Sequence, residues 1–193
     1  AAGTAQWHAA SPSAPNGRLV ARLSRLSLPG EGELTPWQGA DTGPRARPAD
    51  AKNPWPELDV RAESLVSSGR DFGRFELVAT PQGADWRISK LVLGAEAGSV
   101  KAEGWWRGSG TEQHTRLDVS LETSDAGAML KRFGYPDLVR GAPTTLSGNL
   151  EWPGAPSDYD PAVLSGSLKL EVGAGQFLQV DPGIGRLLGV LSL

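Results

Sequence analysis

The residues that could carry chemistry are few in this chain of 193 residues. Gly183 and Gly185 lie between a predicted strand and a predicted helix, like the first two glycines of a dinucleotide-binding turn, but Gly189 comes one position too late to be the third. Such a turn also belongs to a parallel βαβ unit, whereas the preceding sequence predicts antiparallel strands. The glycines therefore indicate a strand-to-helix corner and a close-packed helix face, and no cofactor is predicted.

Metal and acid–base chemistry have equally little support. Asp158 and Asp160 could hold a cation through two carboxylates, but a calcium loop needs several more oxygen ligands, and a turn before Pro161 explains the pair better. The chain has no cysteine, and its only histidines are His8 and His114. Disulfides and thiolate metal sites are therefore excluded, and a histidine-based triad is hard to build. The sequence predicts no metal site, no catalytic residues and no enzymatic activity.

The chain has seven tryptophans, whose flat rings suit sugar binding. Five of them stand at the start or end of predicted strands: Trp55, Trp86, Trp105, Trp106 and Trp152. Bulky aromatic rings at such positions favour a structural role, closing the edges of the apolar face of a sheet. Two alternatives stay open. One is a position at a membrane interface, and the other is a glycan hydrolase with a carboxylate pair about 5–9.5 Å apart.

Composition narrows the class of protein further. The net charge is −3 and the isoelectric point about 5.4, so there is no electrostatic reason to expect nucleic-acid binding. The 25 glycines and 15 prolines favour turns and short strands over long helices. No run of eighteen apolar residues occurs, and the first twenty residues lack the apolar segment of a signal peptide. If the protein is exported or anchored, we expect those elements outside this sequence.

The N-terminal part of the chain is irregular. Residues 1–16 are small and polar and are predicted to be a poorly ordered lead-in. Residues 17–28 are predicted to contain the first strand, in which the apolar residues change parity near Ser24, so a β-bulge is expected there. Residues 29–54 contain five prolines and four glycines, which predicts a loop or a disordered insertion.

Residues 55–193 are predicted to form one β-groove segment. Apolar and polar residues alternate here with a period of two, which is typical of antiparallel strands with one apolar and one polar face. In one such run, Leu117, Val119 and Leu121 alternate with Arg116, Asp118 and Ser120. The predicted fold is mainly β, with a twisted antiparallel sheet that forms an open groove or half-barrel and carries one or two short helices on its apolar face.

A short repeat adds a hairpin to this sheet. The motif LSGNL at residues 146–150 recurs as LSGSL at residues 164–168, and both copies open an alternating segment. A last strand is predicted at residues 175–180.

Two helices are predicted. Asp125 can cap a helix over residues 125–133, which Gly134 would end. Pro182 is expected to start a second helix over residues 183–193, which is apolar almost all round. Its residues Leu187, Leu188 and Leu191 are expected to cap the groove by packing on the apolar face of the sheet.

Several motifs between Trp55 and Leu193 occur together and in order. They are WPELDVRAESL, TPQGADWRISKLVL, AEGWWRG, LDVSLETSDAGAMLKRFGYPD, LSGNLEWPG and GQFLQVDPGIGRLLGVLSL. This set resembles the C-terminal periplasmic part of the YhdP family, which belongs to the AsmA-like proteins related to TamB. Residues 1–54 share the resemblance only through the strand near residues 19–28.

The resemblance implies a location, a fold and a function. Such proteins are anchored in the inner membrane of Gram-negative bacteria by an N-terminal helix and extend through the periplasm. They form a long, twisted β-sheet groove with a hydrophobic lining and are thought to carry phospholipids toward the outer membrane. The implied partners are a phospholipid or other acyl-chain ligand, the rest of the parent groove and other envelope proteins. The family offers no catalytic residues.

Two functions are compatible with an apolar sheet face that too few helices cover. The first is a segment of a lipid-transfer groove. Its lining candidates are Leu117, Val119, Leu121, Leu146, Leu150, Trp152, Leu168, Leu170 and Val172. The second is a non-enzymatic envelope scaffold or interaction module whose sheet face docks on a partner.

Overall fold

The computed structural model describes residues 2–28, 55–83, 85–107, 113–156, 158, 160 and 162–177. Within this part of the chain there are eleven strands and one α-helix. In chain order these are β1 (Ala2–His8), β2 (Arg18–Leu28), β3 (Glu57–Ser67), β4 (Arg70–Gln82), β5 (Asp85–Ala95), β6 (Gly98–Arg107), β7 (His114–Thr123), α1 (Ala126–Phe133), β8 (Val139–Gly141), β9 (Thr144–Pro153), β10 (Ser165–Val172) and β11 (Gly175–Phe177).

Nine of these strands form one sheet in the order β1-β2-β3-β4-β5-β6-β7-β9-β10. Strands β8 and β11 form a separate two-stranded sheet. Among the described residues the large sheet does not close on itself, because β1 and β10 each have a neighbour on one side only. The prediction of a mainly β, open sheet is therefore confirmed. We call the end of the sheet at which β3, β5 and β7 begin the lower end, and the opposite end the upper end.

One pair of neighbours departs from the predicted antiparallel arrangement. Strands β2 and β3 run parallel, with Arg18 opposite Glu57 and Leu28 opposite Ser67. Parallel neighbours need a crossover of a dozen or more residues, and residues 29–56 link the upper end of β2 to the lower end of β3. Alternation could not reveal this direction, because either direction puts every second side chain on the same face.

The prediction of a poorly ordered lead-in at residues 1–16 is wrong for Ala2–His8. These residues form β1, which pairs antiparallel with β2. All seven are exposed, so backbone hydrogen bonds rather than side-chain burial hold the strand in place. The strand predicted within residues 17–28 is present at Arg18–Leu28, but it is the second strand of the sheet.

The β-bulge predicted near Ser24 is present in the pairing of β1 with β2. The register moves from Gly3 opposite Leu23 to Ala2 opposite Arg25, which leaves Ser24 as the extra residue. A bulge of this kind reverses the alternation of faces along the strand.

A second bulge keeps the apolar residues of β5 on one face. Ile88 and Lys90 pair with consecutive residues of β4, so Ser89 is the extra residue of β5. Because the bulge reverses the alternation, Leu91 and Leu93 face the same way as Ile88 although their positions differ in parity.

The repeated LSG motif forms the predicted hairpin of β9 and β10. Gly148 lies opposite Leu168, and Gly166 lies opposite Leu150. The φ angle of Gly148 is 155°, and a Cβ atom at this position would overlap the carbonyl oxygen of Ser167 in the neighbouring strand. Only glycine therefore permits this close approach of the two backbones.

Replacing Gly148 with alanine is expected to lower the free energy of unfolding by about 1–3 kcal/mol, because the strand must distort to separate the two backbones. Gly94→Ala in β5 is the matched control, since a Cβ atom there would first meet the flexible side chain of Arg74 at 3.5 Å. The control is expected to change the stability by less than about 1 kcal/mol. Urea unfolding of both variants measures the difference, and equal losses would contradict the backbone overlap.

Helix α1 lies where the sequence pattern predicts a helix and has both expected caps. The Asp125 carboxylate accepts a hydrogen bond of 3.0 Å from the backbone N–H of Ala128. Gly134 ends the helix in the left-handed conformation, with φ at 96°. The rings of Phe72 and Phe133 lie 5.5 Å apart, so the C-terminal end of the helix rests on the β3–β4 hairpin at the upper end of the sheet.

The strand predicted at residues 175–180 does not extend the large sheet. Gly175–Phe177 forms β11, which pairs with β8. Residues 29–54 and residues 178–193 lie outside the described part of the chain. The loop or insertion, the second helix and the capping role of Leu187, Leu188 and Leu191 therefore stay predictions.

Candidate binding face of the sheet

Three rows of cross-strand neighbours cover one face of the large sheet with glycine and apolar residues alone. The lower row is Trp7, Leu19, Leu58, Ala79, Ile88, Gly104, Leu117, Leu150 and Gly166. The middle row is Ala5, Ala21, Val60, Leu77, Leu91, Ala102, Val119, Gly148 and Leu168. The upper row is Gly3, Leu23, Ala62, Phe75, Leu93, Val100, Leu121, Leu146 and Leu170. Directly opposed residues share a face, so the rows form one apolar face across nine strands.

The opposite face is mostly polar. Between the middle and upper rows, for example, the side chains that point to this opposite face are Thr4, Arg22, Arg61, Glu76, Val92, Lys101, Ser120, Ser147 and Lys169. The period-two alternation of the sequence therefore sorts its residues into one charged and one apolar surface.

Burial on the apolar face is greatest in the lower row at β4 and β5, and most of the large residues higher on the sheet are only half-buried. In the lower row, Ala79 and Ile88 are 0% and 3% exposed. In the upper row most residues are only half-buried. We call this half-buried set the open strip: Leu23, Phe75, Leu93, Val100, Leu121, Leu146 and Leu170.

Tryptophans close the lower end of the apolar face. The ring centroids of Trp55, Trp86 and Trp106 are 5.0–6.1 Å apart, and Trp152 is 4% exposed. The indole N–H groups of Trp86, Trp106 and Trp152 donate to Pro56, Gln113 and Ala155, respectively. Buried rings with satisfied N–H groups are typical of a structural cluster and do not offer a flat face to a sugar.

No second layer covers the open strip in the described part of the chain. Each strand of the large sheet makes its main contacts with its neighbours in the sheet, and α1 lies against β8 and β4. A monomeric soluble protein rarely leaves a large apolar surface uncovered unless it binds something. The open strip is therefore the candidate binding site.

Ion pairs connect neighbouring strands on the charged face. The Asp59 carboxylate accepts a hydrogen bond of 2.8 Å from Arg22, and Arg18 and Arg61 lie 3.6 and 3.7 Å from it. The hydrogen bond from Arg22, opposed in part by burial and helped by the three positive charges, holds the pKa of Asp59 below its usual value. This carboxylate therefore stays ionised at neutral pH and tethers β2 to β3.

The structure places all nine predicted lining residues on the apolar face, because the register aligns β7, β9 and β10 with their apolar sides together. They differ in exposure, since Trp152 is buried in the tryptophan cluster whereas Val172 is 52% exposed near the upper end. Leu121, Leu146 and Leu170 belong to the open strip. The three capping candidates lie beyond the described residues.

Sequence reasoning missed the half of the binding face that β2–β5 contribute. Leu23, Phe75 and Leu93 belong to the open strip as fully as Leu121 does. The signal was present, since each of these strands alternates. In β5 the bulge at Ser89 changes the parity between Ile88 and Leu91 and so hides the continuity of the rows.

Among the described residues, no helix has the length and apolarity needed to cross a membrane. No group of three or more histidine, aspartate or glutamate side chains among them is arranged to hold a metal ion.

Comparisons with known proteins assign the family. A sequence model of the YhdP family, described as "YhdP protein", matches residues 1–193. The intermembrane phospholipid transporter YhdP of Escherichia coli (strain K12) is 25% identical over 140 residues, which is 72% of this chain and 11% of that protein. The chain thus spans about a tenth of the length of that relative. No solved structure matches the chain significantly. The resemblance seen in the motifs from Trp55 onward is confirmed and extends to the N-terminal strands, so the chain belongs to the YhdP family.

Proposed function

We propose that this chain is a segment of a phospholipid-transfer protein of the cell envelope and that the open strip binds acyl chains. The observation that carries the proposal is the uninterrupted apolar face across nine strands, whose upper row has no cover among the described residues. Membership of a family with a curated phospholipid transporter supports the choice of ligand. A periplasmic location, with the parent protein anchored in the inner membrane, is part of the same proposal.

The size of the open strip suits an acyl chain. It crosses eight strands, from β2 to β10, and seven steps of about 4.8 Å give a length of roughly 34 Å. The acyl layer of one leaflet is about 15 Å thick, half of the hydrocarbon core of a bilayer, so an extended chain fits along the strip. Each methylene shielded from water contributes about 0.8 kcal/mol.

The two edges of the large sheet support the view that this segment is part of a longer groove. Among the described residues, β1 is exposed along its whole length, and β10 has a partner only on the β9 side. Exposed edges are templates for further strands. We propose that neighbouring parts of the parent chain continue the sheet at these edges and so prolong the trough.

A photo-crosslinking amino acid at Leu121 in the open strip is expected to capture phospholipid, whereas the same amino acid at Ser120 is expected to capture none. The two residues are adjacent in β7 and face opposite sides of the sheet. Leu170 and Lys169 in β10 give a second pair of the same kind. The purified chain is irradiated with vesicles of phosphatidylethanolamine and phosphatidylglycerol, and the adducts are identified by mass spectrometry. Capture of protein rather than lipid at Leu121 and Leu170 would favour the scaffold function instead, and equal lipid capture on both faces would refute the groove.

A further inference from the structure

Strand β11 is the element from which residues 178–193 continue, and it belongs to a small unit at the upper end of the sheet. The pairing of β8 with β11 continues the β9–β10 hairpin in the same register, since Gly175 lies opposite Gly141 three positions beyond the pair of Val172 and Thr144. Strand β8 in turn packs against α1. We call residues 178–193 the C-terminal segment, and it starts from this unit of α1, β8 and β11.

The unit lies on the apolar side of the sheet, directly above the open strip. Thr123 and Thr144 are opposed two positions above Leu121 and Leu146 and share their face. Both threonines are only 8% exposed, and the backbone N–H of Asp125 donates to the Thr123 hydroxyl at 3.1 Å, so the start of α1 covers this row. The cover stops there, because Leu121 and Leu146 are only half-buried. The C-terminal segment therefore starts at the margin of the open strip.

The sequence of the C-terminal segment matches the chemistry of the open strip. Four large apolar residues recur at the i, i+3, i+4 and i+7 spacing of one helix face: Ile184, Leu187, Leu188 and Leu191. Its two charged residues are Asp181, which precedes this pattern, and Arg186, which falls on the opposite side of such a helix. A helix with one apolar face is stable in water only when that face is buried against another apolar surface.

The C-terminal segment is also long enough to reach the open strip. Residues 178–182 span up to about 16 Å when extended, and a helix over residues 183–193 is about 16 Å long. The row of Thr123 stands only two residues, or about 7 Å, above the row of Leu121. Since the open strip is roughly 34 Å long, such a helix covers about half of it.

We propose that the apolar side of the C-terminal segment docks on the open strip while no lipid is bound, and that an acyl chain displaces it. The inference rests on the proposed function, because the surface that it covers is the proposed lipid site. A segment tethered at β11 has an effective concentration on the order of millimolar, so it competes with lipid at every moment. The apparent affinity for lipid is then lowered by the fraction of chains whose strip is covered.

Disulfide crosslinking tests the docking, because the chain has no cysteine of its own. The variants L121C/L188C and L146C/L188C place the second cysteine in the open strip, and at least one of them is expected to crosslink within the monomer in the absence of lipid. The matched controls are S120C/L188C and S147C/L188C, whose second cysteine is one residue away on the opposite face. They are expected to crosslink at least tenfold more slowly, as measured by mass spectrometry of digested samples. No crosslink in either strip variant, or equal rates on both faces, would overturn the inference.

Lipid titration of the crosslinked variant tests the competition. The oxidised chain is expected to bind dihexanoyl phosphatidylglycerol at least tenfold more weakly than the reduced chain in calorimetry, and equal binding would overturn the displacement. L187S/L188S is expected to bind this lipid several-fold more tightly than the unmodified chain, because docking is weakened. Weaker binding would mean that the segment forms part of the lipid site and does not compete for it. If the reduced chain binds no lipid, the proposed function fails, whereas a crosslink confined to the strip cysteines still supports the docking.

Discussion

Replacing Trp106 with alanine is expected to lower the free energy of unfolding by about 3–5 kcal/mol. The indole is 8% exposed, contacts the rings of Trp55 and Trp86 and donates a hydrogen bond of 3.2 Å to Gln113. Its loss would leave a cavity where the tryptophans close the lower end of the apolar face. Since typical domains have only about 5–15 kcal/mol of stability in total, the effect should be plain in a urea titration.

The neighbouring tryptophan provides the control. Trp105→Ala removes a ring from the charged face, where two cation–π contacts contribute about 0.5–1 kcal/mol each. Its stability loss is expected to be less than half of that for Trp106→Ala. Similar losses for the two variants would mean that the lower cluster is not the core of this sheet.

Replacing Leu121 with glutamate is expected to weaken binding of a short-chain phospholipid at least tenfold. Leu121 lies in the open strip between Val100 and Leu146. A carboxylate at this position stays hydrated and keeps part of the acyl chain off the apolar surface. For every two methylenes of the lipid that stay in water, the binding free energy is weakened by about 1.6 kcal/mol. Calorimetric titration with dihexanoyl phosphatidylglycerol measures the change in dissociation constant.

Ser120→Glu is the matched control for this variant. It introduces the same charge one residue away, on the polar face, beside Lys101 and Ser147. The control is expected to bind the lipid as the unmodified chain does. Equal weakening in both variants would point to a general charge effect, and no weakening in Leu121→Glu would show that acyl chains do not use the open strip.

Much of the sheet could be predicted from alternation alone. In β6 and β7 the apolar residues recur at every second position without interruption, and the structure pairs Ala102 with Val119 and Val100 with Leu121 as the pattern requires. Helix α1 was equally accessible, because Asp125 and Gly134 are strong capping residues. Alternation and helix caps can be predicted because they depend only on residues that are close together in the sequence.

Alternation does not determine which strands are neighbours in the sheet. Strand β1 contributes only Gly3, Ala5 and Trp7 to the apolar face, and this short, mostly small-residue alternation does not show that Ala2–His8 pairs with the edge of β2. Strand β11 is too short to carry a period, and its partner β8 lies more than thirty residues away. The parallel pairing of β2 with β3 is a choice between two directions that share one residue pattern.

The candidate binding site is likewise only partly predictable from the sequence. The faces of Leu117, Val119 and Leu121 follow from the sequence, but the open strip depends on the register between strands and on how far the tryptophan cluster reaches up the sheet. Trp105 and Trp106 are adjacent in the sequence, and their position at the end of a predicted strand predicts the same structural role for both. The pleat sends them to opposite faces, where one joins the core and the other holds two arginines.

The order of the strands in the large sheet determines how the sheet can become wider or narrower. Each strand packs mainly on the strands beside it, so stability accumulates from nearest-neighbour contacts, as in a repeat protein. Adding or removing one antiparallel hairpin changes the length by about 10 Å and leaves the cross-section of three apolar rows untouched. The width of such a sheet is thus set by the number of hairpins in the sequence, and hairpins can be gained or lost without changing the residue types of the apolar face.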